Sequence, residues 1–239
     1  MTAAWTIARR ELAALFYSPI AYAVLGLFAL GSALIFMIGF GTDQEASMRL
    51  TFDGVVWLLV FLVPAVCMRL VSEELSRGTV ERLMTLPVTE GQVVVGKWLA
   101  ATIFLAVLLL PLVVQVVVLE IVSDLDAGPV FTGLLGLLLV AGLYAAIGVF
   151  ASSVTQNQVI AFMVAVFVIC VLTFLLFFLP EASFVSPSVK SAMYYANVNR
   201  QYADFAKGLI DIRNFAYFAS GTGLFLFLAV KLLESRRWR

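Results

Sequence analysis

The chain has 239 residues, of which 63% are hydrophobic and 13% charged, and its 15 basic side chains balance its 15 acidic ones. Soluble domains carry about a quarter charged residues, so this composition excludes a soluble globular domain, and zero net charge predicts no nucleic-acid binding. Cys67 and Cys170 lie in apolar runs and histidine is absent, so we predict no disulfide, no metal site and no catalytic triad.

The amino-terminal segment WTIARRELAALFYSP, 5–19, predicts an amphipathic helix ahead of the first apolar run. Its apolar side chains fall on one helical arc: Trp5, Ala8, Leu12, Leu15 and Phe16. Arg10 and Glu11 lie off that arc. We predict a helix in the plane of the membrane interface, and a merely charged flank is the alternative.

Apolar runs long enough to cross a bilayer follow at 20–40, 54–71, 93–119, 130–152, 159–179 and 215–233. Uninterrupted runs of about 20 residues favour spanning helices over a β-barrel. We therefore predict an all-α integral membrane protein with six transmembrane helices in a single domain, 1–239. The first run is not expected to be a cleaved signal. Pro64 and Pro111 should kink the second and third spans.

The distribution of basic residues predicts the orientation. With six spans both termini lie on one side, and that side holds ten of the 15 Lys and Arg residues against five on the other. Basic residues favour the cytoplasmic side, so we predict cytoplasmic termini.

Polar residues within the spans are sparse. Gln115 lies deepest, whereas Asp53, Arg69, Lys97 and Glu120 lie near span ends, where we expect them to reach the interface. Transporters driven by a proton or sodium gradient need ionisable groups near mid-membrane, so gradient coupling is disfavoured.

The stretch GQVVVGK, 91–97, matches the first seven positions of a phosphate-binding loop. Trp98 stands where the motif requires a Ser or Thr hydroxyl for magnesium, and an apolar span follows. We therefore predict no nucleotide site here.

A dense polar segment, 72–92, separates the second and third spans. Glu73 precedes Arg77 by four residues, which favours a helical ion pair and a continuation of the second span as a helix. Gly78 should break this helix, Thr79 should cap a new one, and Pro87 should end it. Thereafter TEGQ, 89–92, is a capping-box pattern that would open the third span.

The short helix predicted after Gly78 has an apolar stripe of Val80, Leu83 and Met84, with Glu81 in its first turn. This stripe must be buried. It could pack on its own bundle, or it could fit a groove on a separate cytoplasmic protein.

The longest segment on the side opposite the termini runs from Pro180 to Asn214. Tyr202, Phe205, Leu209 and Ile212 have helical spacing on one face, while Asp204, Lys207 and Asp211 lie on the other. We predict short amphipathic helices that cap the outer face of the bundle.

Three stretches resemble one family. EELSRGTVERLMTLPVTEGQVVVGKWLA is similar to the cytoplasmic coupling segment of ABC-2-type transporter permeases, the membrane subunits of type V ABC exporters. RRELAALFYSPIAYAVLGLF and FAKGLIDIRNFAYF resemble the gliding-motility-type branch of that family.

The resemblance implies a six-helix subunit with an interfacial elbow helix, a cytoplasmic coupling helix and short outer helices. It also implies pairing with a second permease copy, identical or related, and with a cytoplasmic ABC ATP-binding subunit that holds ATP and magnesium. The location implied is the bacterial inner membrane, where lipid and a periplasmic accessory protein are further expected contacts. The permease itself would carry no catalytic, cofactor or metal residue.

The family pattern is carried here by Glu73, Glu74, Gly78, Thr79, Glu81, Leu83 and Pro87, and Arg77 stands where the pattern often has a basic residue. With Arg82 and Met84 of the same segment, these are the residues that we predict to contact the ATP-binding subunit. The function implied is the permease of an ATP-driven exporter. The alternatives are a non-transporting scaffold or mechanotransmission subunit driven by the same ATPase and, with less support from the residues, a membrane enzyme.

Overall fold

The computed structural model describes residues 3–40, 47–78, 89–123, 125–181 and 186–236, and these residues include no β-strand. The α-helices are α1 (Ala3–Phe16), α2 (Pro19–Phe40), α3 (Arg49–Cys67), α4 (Ser72–Ser76), α5 (Glu90–Leu108), α6 (Leu110–Val122), α7 (Ala127–Val154), α8 (Gln158–Cys170), α9 (Leu176–Phe178), α10 (Pro187–Ala196), α11 (Val198–Ala206) and α12 (Ile212–Arg236). A π-helical turn, Val171–Leu175, joins α8 to α9, and a 3₁₀ turn, Leu179–Glu181, follows. The predicted all-α class is confirmed.

Within the described ranges, six helical stretches are long and apolar enough to cross a membrane. They are Pro19–Gly39, Arg49–Ser76, Glu90–Val122, Ala127–Val154, Gln158–Phe178 and Ile212–Ser235. Each contains most or all of one apolar run predicted from the sequence, so the six predicted spans are confirmed.

Helix α7 lies at the centre of the bundle, and 72% of its most apolar stretch is buried. It packs against α3, α5, α8, α11 and α12. Glycines permit the close approach: a Cβ on Gly133 would lie 2.6 Å from the ring of Phe52, and one on Gly148 would lie 2.5 Å from Cβ of Cys67. Gly148, with the fully buried Ala146, therefore serves packing within the subunit rather than a surface for a second copy.

The two span prolines have different effects. Pro111 lies in the first turn of α6, directly after the break at Leu109 that separates α6 from α5. Its missing backbone N–H cannot continue the helical hydrogen bonds, so the predicted distortion takes the form of an interruption. Pro64, in contrast, lies inside α3, which continues to Cys67.

The π-helical turn in the fifth span was not predicted from the sequence. It contains Thr173, which is fully buried and whose Oγ1 lies 2.8 Å from the hydroxyl oxygen of Tyr144 on α7. The backbone oxygen of Thr173 accepts a hydrogen bond from Nδ2 of Asn199, at 3.5 Å. Such turns widen a helix locally, and here the widened backbone contacts both α7 and α11.

Helices α10 and α11 lie at the end of the bundle where α3 begins. The Thr132 hydroxyl of α7 donates to the backbone oxygen of Phe205, at 2.7 Å. The predicted amphipathic helix here is confirmed for Tyr202 and Phe205, which are buried. The prediction is wrong for Leu209 and Ile212, which are 58% and 83% exposed. Helix α11 ends at Ala206, and Gly208, with φ +89°, turns the chain.

We expect Gly148→Ala to destabilise the protein by about 1–3 kcal/mol, because the new methyl group overlaps Cys67 in a tightly packed interior. The measurement is thermal unfolding of the purified protein in detergent. Gly26→Ala is the matched control, since nothing lies within 4 Å of an added Cβ there. Equal stability of the two variants would contradict the close contact between α7 and α3.

Candidate functional site

The second span is interrupted before the polar segment. Helix α3 ends at Cys67, a turn follows at 68–71, and the short helix α4 begins at Ser72. The predicted helical continuation of the second span is present within the helical stretch Arg49–Ser76, but the turn at 68–71, which was not predicted, interrupts it. A break inside an apolar bundle leaves backbone donors and acceptors that need new partners.

Ser152, at the end of α7, supplies several of those partners. Its hydroxyl oxygen accepts from the backbone N–H groups of Val71 and Ser72, both at 3.0 Å, and its hydroxyl donates to the backbone oxygen of Met68 at 2.9 Å. Ser152 is fully buried, so water does not compete for these bonds. One side chain of the central helix thereby fixes the interruption in the second span.

A buried lysine lies beside the same interruption. Lys97 of α5 is fully buried, and its Nζ lies 3.0 Å from Oε2 of Glu74 and 3.4 Å from Oε1 of Glu11. It also donates to the backbone oxygen of Leu70. Because an unpaired ammonium in an apolar interior is very costly, these acceptors are what make the position tolerable.

Arg10 pairs with both Glu11 and Glu74 on the solvent-exposed side of Lys97. Its guanidinium lies 2.7 Å from Oε1 of Glu11 and 3.3 Å from Oε1 of Glu74, and 57% of its side chain is exposed. The hydrogen bond to Glu11 raises the pKa of Arg10, so the guanidinium stays charged. We call Arg10, Glu11, Glu74 and Lys97 the Lys97 cluster; its two cations and two anions balance.

Gly96, next to Lys97, allows α1 to approach α5 closely enough for Glu11 to reach Lys97. A Cβ on Gly96 would lie 2.8 Å from the backbone oxygen of Ala4 and 3.0 Å from Cβ of Ile7. Helix α1 therefore lies directly on α5, with Ala8 buried and the ring of Phe16 5.3 Å from that of Phe104. A helix at the predicted elbow position is present, and its placement in the membrane interface stays a prediction.

The expected position of Lys97 is corrected by this geometry. The sequence suggested that Lys97 reaches the interface and that Glu11 lies off the packing arc, yet both enter the contact between α1, α4 and α5. The stretch 91–97, which matches the first seven positions of a phosphate-binding loop, forms the first turns of α5.

Several features of the polar segment are confirmed. Arg77 and Glu73 form the predicted ion pair, at 2.7 Å, and Gly78 ends the helix with φ +65°. Thr89 and Gln92 form the predicted capping box at the start of α5: the backbone N–H of Gln92 donates to the Thr89 hydroxyl at 3.3 Å, and the reciprocal bond measures 3.2 Å.

The predicted coupling helix itself lies outside the described residues. This applies to Thr79, Glu81, Arg82, Leu83, Met84 and Pro87, all within 79–88. Of the remaining predicted contact residues, Glu74 directs its carboxylate toward Lys97 of its own subunit. Glu73 lies in the first turn of α4, and Arg77 and Gly78 follow the end of that helix. Contact of any of them with an ATP-binding subunit stays a prediction.

In the described part of the chain, no group of three or more Cys, Asp or Glu side chains is arranged to hold a metal ion.

A family model described as ABC-2 family transporter protein matches residues 5–228. The matched region contains the whole Lys97 cluster and reaches from α1 into α12. It bears out the resemblance to ABC-2-type permeases but gives no support for the gliding-motility-type branch. No curated protein matches the chain in a sequence comparison.

We expect Lys97→Met to destabilise the protein by about 3 kcal/mol, because Glu11 and Glu74 would be left without their shared cation in a largely buried site. Thermal unfolding in detergent measures the effect. The triple variant K97M/E11Q/E74Q should recover part of the loss, since it leaves no buried charge without a partner. Lys231→Met, which removes an exposed pair with Glu234, should change stability by less than about 0.5 kcal/mol. A K97M effect no larger than that of K231M would contradict the cluster.

We expect Ser152→Ala to cost about 1–3 kcal/mol, because the amides of Val71 and Ser72 would lose their buried acceptor. Ser153→Ala is the matched control: Ser153 is equally buried, but its hydroxyl bonds only to the backbone oxygen of Phe150 in its own helix. Hydrogen exchange at the amides of Val71 and Ser72 should accelerate in S152A alone. Acceleration in both variants would show that Ser152 does not fix the break.

Proposed function

The chain belongs to the ABC-2 transporter family, and from that premise we propose that it is the permease subunit of an ATP-driven exporter that receives its energy through residues 79–88. It is a multi-pass membrane protein by its six apolar helical stretches, counted over the described residues. In this proposal a cytoplasmic ABC ATP-binding subunit docks on that segment, and two permease copies assemble side by side. Both termini face the cytoplasm of a bacterial cell, and the membrane is the inner one.

The observation that carries the proposal is the position of the Lys97 cluster. Residues 79–88 connect α4 to α5 along the chain. The cluster joins the same two helices to α1 through Glu74, Lys97 and Glu11. A force applied to residues 79–88 would therefore act on α1, α4 and α5 together, because the Lys97 cluster connects these three helices.

The turn at 68–71, which interrupts the second span, would allow α4 to move relative to α3. Helix α4 is separated from α3 by a turn rather than continuous with it, so it can tilt without bending a long helix. Ser152 attaches this turn to α7, the central helix. Movement of α4 is thus passed to α7 through Ser152, and to α5 through Lys97.

Helix α7 extends this connection to the opposite end of the bundle. Its first turns contact α11 through the bond from Thr132 to Phe205, and a Cβ on Gly136 would lie 2.7 Å from Cβ of Phe205. We propose that displacement of α7 repositions α11 and α10, which form the outer gate. Contacts run without a gap from α4 through α7 to α11. Whether a displacement of α4 moves α11 must be measured directly.

We expect the double variant L83A/M84A to retain about tenfold less of the cognate ATP-binding subunit on co-purification, because it truncates two of the three side chains in the apolar stripe of the predicted coupling helix. The chain offers a control in I121A/V122A, which truncates two exposed apolar side chains at the other end of the bundle. Both variants should unfold at the wild-type temperature.

The same preparations, reconstituted with the ATP-binding subunit in vesicles, test coupling. Wild type and I121A/V122A should stimulate ATP hydrolysis, and L83A/M84A should not. Full retention and full stimulation in L83A/M84A would contradict the proposal. ATP-dependent movement of the permease with no solute or lipid crossing the vesicle membrane would favour the mechanotransmission alternative.

A further inference from the structure

The end of the bundle opposite the Lys97 cluster carries an open cleft of about 930 Å³ between α10, α11 and the start of α12. Its wall contains three tyrosines and three cations: Tyr194, Tyr195, Tyr217, Arg200, Lys207 and Arg213. We call it the outer cleft. None of the interactions described above, from the coupling segment through α7, involves these six side chains.

The wall of the outer cleft contains three cations and two carboxylates, and Lys207, together with Arg49, interacts electrostatically with Asp53 of α3. Arg200, Lys207 and Arg213 form no salt bridge with any residue in the described ranges, and all three are exposed. The two carboxylates in the wall already have structural roles. Asp204 accepts from the Nδ2 of Asn214 at 2.8 Å, and Asp211 accepts from the backbone N–H of Arg213 at 2.8 Å.

Arg200 is held in a defined orientation. Its guanidinium carbon lies 3.8 Å from the centre of the Tyr194 ring, a stacking distance that leaves the guanidinium edge available for further hydrogen bonds. A planar guanidinium presented in this way suits the oxygens of a phosphate or carboxylate. The wall has one more cation than carboxylates, which favours an anion over a cationic ligand.

An apolar margin adjoins the cleft. Leu209, Ile210, Ile212 and Phe215 are 58%, 63%, 83% and 50% exposed, and they lie where the sixth span begins. Exposed side chains of this kind at a span end face the hydrocarbon, while tyrosines favour the membrane–water boundary. The surface therefore has a cationic half and an exposed apolar half next to each other.

From this juxtaposition we propose that the outer cleft binds the anionic phosphate headgroup of a membrane amphiphile, with its hydrocarbon chains lying along residues 209–215. Arg200 and Lys207 contact the phosphate, and the tyrosines pack against the remainder of the headgroup. A free soluble phosphate compound would use only the charged half. This site goes beyond the proposed function, because it requires neither the ATP-binding subunit nor transport.

The test uses the full-length chain, purified and delipidated in detergent, and measures lipid binding by native mass spectrometry. The probes are phosphatidylglycerol, phosphatidylcholine with the same acyl chains, and glycerol 3-phosphate. We expect phosphatidylglycerol to bind about tenfold more tightly than either other probe, since one lacks net charge and the other lacks chains. Equal binding of phosphatidylcholine, or of glycerol 3-phosphate, would overturn the proposal.

A pair of charge-matched variants locates the site. R200Q/K207Q removes one Arg and one Lys from the cleft, whereas R49Q/K190Q removes one of each from the same end of the bundle outside the cleft wall. We expect the affinity for phosphatidylglycerol to fall about tenfold in R200Q/K207Q alone. Equal losses in the two variants would overturn the site. Should R200Q/K207Q unfold, the single variant K207Q, at an exposed position, decides in the same way: an unchanged affinity counts against the cleft.

Discussion

The burial of Lys97 is the constraint on which the end of the bundle formed by α1, α4 and the start of α5 depends. A buried ammonium needs anionic partners, and they come from Glu11 on α1 and Glu74 on α4, which are far apart in the chain. Satisfying one charge therefore fixes the positions of three helices at once. The absence of a side chain at Gly96 follows from this requirement, since α1 must lie directly on α5 for Glu11 to reach the ammonium.

The two ends of the bundle are joined by α7 and differ in chemistry. At one end Ser152 holds the interrupted second span, and at the other Thr132 holds α11. Both contacts are side-chain hydrogen bonds to backbone atoms, which keep their geometry in an apolar interior because no water competes for them. A rigid central helix with a polar attachment at each end is suited to transmitting displacement, while the exposed cations of the outer cleft are suited to contact with headgroups.

The sequence was sufficient for features that depend on local patterns. Six apolar runs predicted six spans, spacing predicted the Glu73–Arg77 pair, and the capping box at Thr89 needed only neighbouring residues. Features that depend on distant partners were missed. Lys97 looked like a span-end lysine because its carboxylates belong to other helices, and the turn after Cys67 gave no sign because its hydrogen-bonding partner is Ser152. Leu209 and Ile212 had helical spacing, but Gly208 ended the pattern.

Because the Lys97 cluster joins α1 to α4, the proposed mechanism requires these two helices to move as one unit during ATP hydrolysis by the partner subunit. This requirement is tested by distances between paired spin labels in the complex with the ATP-binding subunit, with and without nucleotide. Labels at the exposed positions Arg9 on α1 and Ser76 on α4 report on the unit, and a third at the exposed Lys231 on α12 gives the reference. The account predicts a constant distance from Arg9 to Ser76 while both change their distance to Lys231. A nucleotide-dependent change between Arg9 and Ser76 would contradict it.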